Sequence, residues 1–201
     1  MSDHNITVES GTSVRLPTAG KYCDRDIVIT ATGGDYGYED GIVTRNGTEY
    51  INDRVTSIGQ YAFYRNSTLR YVSFPNVTTI SQYALGNCSN LTDINFPSLK
   101  TLGAYVFQNC TKLAKVEFPS LTKMNTAPFT GSTALTTIIL PGTTVCELGA
   151  SNSLSGTPIA SGEGFIFVND DLVDEYKVAS RWSEFADQIK PISELEEIAE
   201  S

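Results

Sequence analysis

VTSIGQYAFYRNSTLRYVSFPN (55–76), VTTISQYALGNCSNLTDINFPS (77–98), LKTLGAYVFQNCTKLAKVEFPS (99–120) and LTKMNTAPFTGSTALTTIILPG (121–142) follow one another without a gap and share one 22-residue register. A unit this short cannot enclose a core of its own, so successive units must stack and bury their apolar columns against one another. The expected architecture is a solenoid, and the outer surface of its coils is where function is to be sought.

Aligned in register, six columns are apolar in every unit: Val55/Val77/Leu99/Leu121, Ile58/Ile80/Leu102/Met124, Phe63/Leu85/Phe107/Phe129, Leu69/Leu91/Leu113/Leu135, Val72/Ile94/Val116/Ile138 and Phe74/Phe96/Phe118/Leu140. These columns are the predicted core. The last two lie two residues apart and are followed by an aligned proline (Pro75, Pro97, Pro119, Pro141). That pattern predicts one short parallel strand per coil, ended where proline has no N–H to give the ladder. The stretch around Gly59 and Gly103 reads as a turn or short helical piece on the opposite side. Asn87-Cys88 and Asn109-Cys110 occupy a bend where small polar side chains bond backbone groups. Asn5, Asn46, Asn66, Asn76, Asn87, Asn90 and Asn109 all match N-x-[ST], a match that falls out of a repeat rich in Asn, Ser and Thr.

With IGQYAF (58–63), the two Asn-Cys pairs and the four prolines in place, the units resemble the BspA-like, Treponema-type bacterial leucine-rich repeats. The resemblance covers residues 55–142 and implies a β-rich, α+β leucine-rich-repeat solenoid. That family is associated with bacterial cell surfaces and adhesion, so the resemblance implies surface binding without identifying a receptor. The flanks LPTAGKYCDRDIVIT (16–30) and DDLVDEYKVASRWSEFADQIKPISEL (170–195) are similar to segments that bracket such repeats in gut Firmicutes and their phages. This implies a secreted surface protein or a virion appendage.

Composition narrows the partners. The chain of 201 residues carries 23 Asp and Glu against 14 Lys and Arg, a net charge of −9. Nucleic acid and anionic membrane surfaces are disfavoured, because phosphate binding needs clustered cations that release counterions. No stretch approaches the roughly 20 apolar residues needed to span a bilayer, and MSDHNITVES lacks the basic and apolar regions of a signal peptide. The expected location is extracellular, on a cell surface or on a virion. Cys23, Cys88, Cys110 and Cys146 show no C-x-x-C spacing, and His4 is the single histidine, so no zinc site is expected. Cys88 and Cys110 share a column one coil apart and are either bridged or, as is commoner in repeats, free and buried.

Outside the repeats, residues 1–32 read as a small N-terminal β unit with strands at Asn5–Glu9 and Asp26–Thr32. Residues 33–41 read as a Gly/Tyr linker, and 42–54, with an Asn46-Gly47 hairpin signal, as an N-terminal cap. The 22-residue period is lost after the fourth unit. Residues 143–169 read as an irregular terminal coil ending in a strand at FIFVND (165–170), and 170–201 as a helical cap with an acidic tail. The cap helix has Asn169 or Asp170 as N-cap and Leu172, Val173, Tyr176, Trp182, Phe185 and Ile189 as apolar contacts.

Catalysis finds no foothold. The histidine has no evident orienting partner, and phosphate-binding and dinucleotide glycine fingerprints are absent, so neither enzymatic activity nor a cofactor is expected. Asp170, Asp171, Asp174 and Glu175 complement a helix dipole and lack the spacing of a calcium loop, so no metal is expected there. Two surface ladders remain. Tyr61, Tyr83 and Tyr105 recur once per coil, and they either hold a sugar or protein partner or shield the core by stacking on one another. On the strand face, Tyr71 and Ser73, Asp93 and Asn95, Lys115 and Glu117, and Thr137 and Ile139 alternate with core positions. They form either a recognition strip or an ordinary solvated sheet face. Two functional readings follow: a non-enzymatic binding protein for a protein or glycan on a host or bacterial surface, and a structural spacer or assembly module of a phage tail or surface appendage. The oligomeric state is left open.

Overall fold

The structure, a computed structural model, describes residues 49–51, 53 and 55–195, together with strand backbone at 7–8, 27–31 and 43–44. His4, Asn5, Cys23, the linker 33–41, the Asn46-Gly47 turn and residues 196–201 lie outside the described residues. Ahead of the repeats stand β1 (Thr7–Val8), β2 (Ile27–Ala31), β3 (Val43–Thr44) and β4 (Glu49–Ile51). The four coils contribute β5 (Val55–Ile58) and β6 (Tyr71–Ser73), β7 (Thr79–Ile80) and β8 (Asp93–Asn95), β9 (Thr101–Leu102) and β10 (Lys115–Glu117), β11 (Lys123–Met124) and β12 (Thr137–Leu140). β13 (Glu147–Leu148), β14 (Phe165–Val168), helix α1 (Val173–Val178) and β15 (Ile189–Pro191) complete the chain.

Each coil therefore carries the predicted strand and, in addition, a second one ahead of its turn. From the second coil on, that extra strand is only two residues long, too short to leave an alternation in the sequence. The extra strands join the expected N-terminal strands β1 and β2 in one sheet, in the order β1-β2-β5-β7-β9-β11-β13, and the predicted coil strands lie in two four-stranded sheets, β3-β4-β6-β8 and β10-β12-β14-β15, the last with β15 where a helix was expected. Apart from the β3–β4 hairpin, which is antiparallel, neighbours pair in parallel. Inward Val72, Val116 and Ile138 are buried, and Ile94 is half-buried against the same core. Phe74 and Phe118 still donate their N–H to the next coil, to the carbonyls of Asn95 and Ile139, and the proline that follows each ends the ladder.

Between the two strands of a coil, the chain makes consecutive tight turns in which alternate N–H groups reach the next coil. Tyr83, Leu85 and Asn87 donate to the carbonyls of Ala104, Val106 and Gln108 at 3.0, 3.1 and 2.7 Å. Beneath these turns, Cys88 Sγ donates to the Phe63 carbonyl at 3.0 Å and Cys110 Sγ to the Leu85 carbonyl at 3.3 Å. In the fourth coil, Ser132 Oγ takes the same role on the Phe107 carbonyl at 2.6 Å. The column thus selects a small buried donor. Cys88, Cys110 and Cys146 are free and buried. Burial pushes the thiols of Cys88 and Cys146 up to about 12, and that of Cys110 well above its ordinary value. Iodoacetamide at about pH 8, where an exposed thiol with the usual value near 8.5 reacts, should leave all three unmodified in the folded protein and alkylate them in denaturant. Peptide mapping that found Cys88 or Cys110 alkylated under native conditions would refute this packing.

The bend asparagines are occupied as well. Asn66 Oδ1 accepts from the Thr68 and Leu69 N–H groups, Asn109 Nδ2 donates to Asn87 Oδ1 at 3.0 Å, and Asn90 Nδ2 donates to the Ser67 carbonyl at 2.7 Å. Asn76 donates to the Asp53 carbonyl. The N-x-[ST] pattern at these positions is accounted for by coil-to-coil and turn bonding.

The coil outlives the sequence period. β14 pairs with β12 so that Ile166 faces Ile138, 28 positions along instead of 22, and the extra length contains a 3-10 turn at Ser151–Leu154. β15 adds a further rung, with Ile189 opposite Ile166. The seven-stranded sheet stops instead at β13, whose exposed backbone is met by side chains. Trp182 Nε1 donates to the Cys146 carbonyl at 2.6 Å, the Cys146 N–H donates to Tyr176 Oη at 2.9 Å, and Arg181 Nη1 donates to the Leu148 carbonyl at 2.7 Å. The expected cap helix is accordingly short. Asn169 caps the 3-10 turn Asp170–Leu172 that leads into it, accepting from the Asp171 N–H, and α1 itself ends at Val178, where Ala179 is extended and Arg181 adopts φ 67. That break swings Trp182 under the sheet edge and delivers Ile189 to a strand instead of a helix.

Candidate functional site

The tyrosine ladder begins in the backbone. Tyr61, Tyr83 and Tyr105 have φ of 60, 58 and 58, and Ala127 continues the column at 52. Four places later Arg65, Asn87, Asn109 and Gly131 form a second left-handed column, where Asn and Gly are the residues that tolerate the conformation. For tyrosine it costs about 1–3 kcal/mol, offset by the N–H each one donates to the next coil: Tyr61 to Gln82, Tyr83 to Ala104 and Tyr105 to Thr126, at 3.0–3.2 Å.

Left-handed backbone throws the three rings outward in a pile. Tyr61 and Tyr83 stack with centroids 5.2 Å apart and planes 4° apart, and Tyr83 and Tyr105 at 4.9 Å and 9°. Tyr64, which no periodic pattern singled out, stands edge-on to Tyr61 at 5.3 Å and to Tyr83 at 6.0 Å. Its ring lies over Gly86, where a Cβ would come within 3.1 Å of it, so glycine at that position makes the room. The Arg65 guanidinium sits over the Tyr64 ring, 5.2 Å from its centroid. All four tyrosines are half-buried. Burial, then the neighbouring phenols of Tyr105, Tyr61 and Tyr64, hold the Tyr83 hydroxyl above its usual range, which keeps it a neutral donor and acceptor. Both faces of Tyr83 are taken up by its neighbours, so what it offers outward is ring edge and hydroxyl.

The other predicted ladder lies on a different side of the coil. Tyr71 is half-buried, whereas Asp93, Asn95, Lys115 and Glu117 are exposed. Tyr71 pairs in register with Asp93, but the strip is interrupted between β8 and β10, which belong to separate sheets. Two expected members do not face solvent. Ser73 is 5% and Ile139 3% exposed: Ser73 Oγ accepts from Asn95 Nδ2 at 2.8 Å, and Ile139 is flanked in register by Glu117 and Phe167. The strip thus passes from polar to apolar along its length, ending at Phe165, whose ring lies 6.1 Å from that of Phe167. Among the described residues no group of three or more His, Cys, Asp and Glu could hold a metal ion, and no helix is long and apolar enough to cross a membrane.

Residues 48–151 match the family described as the BspA type leucine rich repeat region, in six copies. The chain belongs to the BspA type leucine-rich repeat family. A solved leucine-rich repeat protein from T. pallidum is similar at 25% identity and a TM-score of 0.52, over 60% of this chain and 57% of that one. A leucine-rich repeat protein from Bacteroides ovatus is similar at 20% identity and 0.49, over 89% and 52% of the two chains. A leucine rich cell surface protein from Faecalibacterium prausnitzii is similar at 24% identity and 0.39, over 72% and 48%. The chain thus spans little more than half the length of the first two. No curated protein matches it.

Proposed function

We propose that this BspA type repeat chain is a non-enzymatic, surface-displayed binding protein, which recognises a protein or glycan on a host or bacterial surface through the tyrosine-bearing side of its solenoid. The observation that supports this most is the ladder itself. Three tyrosines occupy a backbone conformation unfavourable to them, and their half-buried rings present a continuous edge of hydroxyls. Strain kept at successive surface positions is a mark of functional sites, and tyrosine is enriched in recognition surfaces because it offers area and a hydroxyl at low entropic cost.

The test is binding of the purified chain to an array of glycans and host-surface proteins, beside a Tyr83→Ala/Tyr105→Ala variant. We expect at least one ligand whose affinity falls more than about tenfold in the variant, the loss typical of an interface anchor, with circular dichroism unchanged. A ligand retained by the variant would move recognition to the strip at Asp93, Asn95, Lys115 and Glu117. Absence of any ligand would favour a spacer in a larger assembly.

A further inference from the structure

The ladder borders a strip of unusual composition. Residues 55–61, 77–83 and 99–105 lead along the seven-stranded sheet to the three tyrosines, and they contain no carboxylate and one charge, Lys100, in a chain with 23 acidic residues. Their outward positions are hydroxyls and amides: Thr79, Gln60 and Gln82 are exposed, and Thr101 is half-buried. The strip ends in the fourth coil, where the tyrosine column becomes Ala127 and the Thr79/Thr101 column becomes Lys123, paired with Glu147 at 3.0 Å.

Three features of this strip select among partners. A charged polymer would find Lys100 alone on the strip and Arg65 at the ladder's edge, where its guanidinium is engaged on the Tyr64 ring. A protein partner anchors on side chains that fill desolvated pockets, and here both faces of the central ring, Tyr83, are already covered by Tyr61 and Tyr105. Spacing is the third. The tyrosine ring centroids follow one another at 4.9–5.2 Å from coil to coil, an interval close to the repeat of one pyranose in an extended glycan chain. A peptide strand advances about 3.3 Å per residue and falls out of step with the rungs. We propose that an extended, uncharged polysaccharide lies along this strip, parallel to the solenoid axis, with one sugar per coil bonded through its hydroxyls to the tyrosine hydroxyl and to the polar side chains that precede it, Ser57 and Gln60, Thr79 and Gln82, and Thr101, Ala104 standing in the glutamine column of the third coil. This rests on the reading of the tyrosine side as the binding side, and it names the ligand class.

The test is calorimetric titration with cello-, xylo- and manno-oligosaccharides of increasing length, and with oligogalacturonate as the charged counterpart. Affinity for at least one neutral series should rise until the chain spans the three tyrosine coils and then level off, with oligogalacturonate weaker. Tyr83→Phe keeps the stack and removes one hydroxyl, so it should weaken binding about 5–10-fold with an unchanged melting temperature. Gln82→Leu should do the same. Binding that ignores length, prefers the charged chain or survives both substitutions overturns the inference. If every neutral oligosaccharide fails while a protein ligand is lost in Tyr83→Ala/Tyr105→Ala, this inference falls and the broader reading stands. If neither class binds, both fall. Sedimentation showing self-association abolished by Tyr83→Phe would assign the strip to a second copy and overturn it as well.

Discussion

A Trp182→Ala protein should be less stable than the parent by about 3–5 kcal/mol, the lower urea midpoint being accompanied by loss of amide protection in β13. Trp182 is 1% exposed, stands edge-on to Tyr176 at 5.4 Å, and supplies the donor that the Cys146 carbonyl would receive from a further strand. Removing it opens a cavity beside Tyr176 and leaves the Cys146 carbonyl unpaired, and each of these costs stability on its own. A solenoid without its cap also exposes a sheet edge and the interior of its last coil. Tyr176→Phe isolates one part of this, since it removes only the hydroxyl that accepts from the Cys146 N–H, and about 1–2 kcal/mol is expected. If Trp182→Ala lay within about 1 kcal/mol of the parent, the terminal coil would have to be held by something other than these side chains.

The cap also shows where the sequence could be read and where it could not. Tyr176, Trp182, Phe185 and Ile189 were all legible as buried, because large apolar residues beyond the last coil have one place to go. The sequence reads them as contacts of one helix, and the break that ends it at Val178 was not legible, since it depends on Arg181 in a left-handed conformation that arginine does not announce. The same limit applies to the site. Period-22 arithmetic puts Tyr61, Tyr83 and Tyr105 in one column, and a coil spacing near that of paired strands, about 4.8 Å, already brings the rings into contact. Their positive φ becomes readable only through the companion column, where Asn87, Asn109 and Gly131 are the residue types that tolerate it. Tyr64 was missed because it occurs once, and the glycine that accommodates it lies a full coil away at Gly86. The strand after the fourth unit was legible at 165–170, although an insertion hid its spacing. Strand pairing needs only backbone, so Ile166 finds Ile138 across 28 positions while the 22-residue register is lost.

Phe107→Ala should have an effect of the same size, about 3–5 kcal/mol, but with a different reach. Phe107 is fully buried in the third coil, stacked on Phe129 at 5.5 Å and 6° and tilted against Phe118 at 6.4 Å. It thus serves both its own coil and the interface to the next. In a linear array, stability is approximately the sum of each repeat's own term and the terms it shares with its two neighbours. A lesion in a middle coil therefore weakens two interfaces and cuts the stack into halves, each too short to sustain its core, whereas a lesion at an end removes one rung. Phe63 provides the comparison. It belongs to the first coil and packs against Tyr50, at 5.3 Å, and Phe74, at 5.9 Å, on the N-terminal side of the stack. Hydrogen exchange should show Phe107→Ala loosening amides in the second and fourth coils together with the third, and Phe63→Ala loosening the first coil while β10, β12 and β14 keep their protection. Exchange confined to residues 99–120 in Phe107→Ala would mean that the coils fold as separate units. The stacked columns, tyrosine ladder included, would then lack the rigidity that a recognition surface spread over three coils requires.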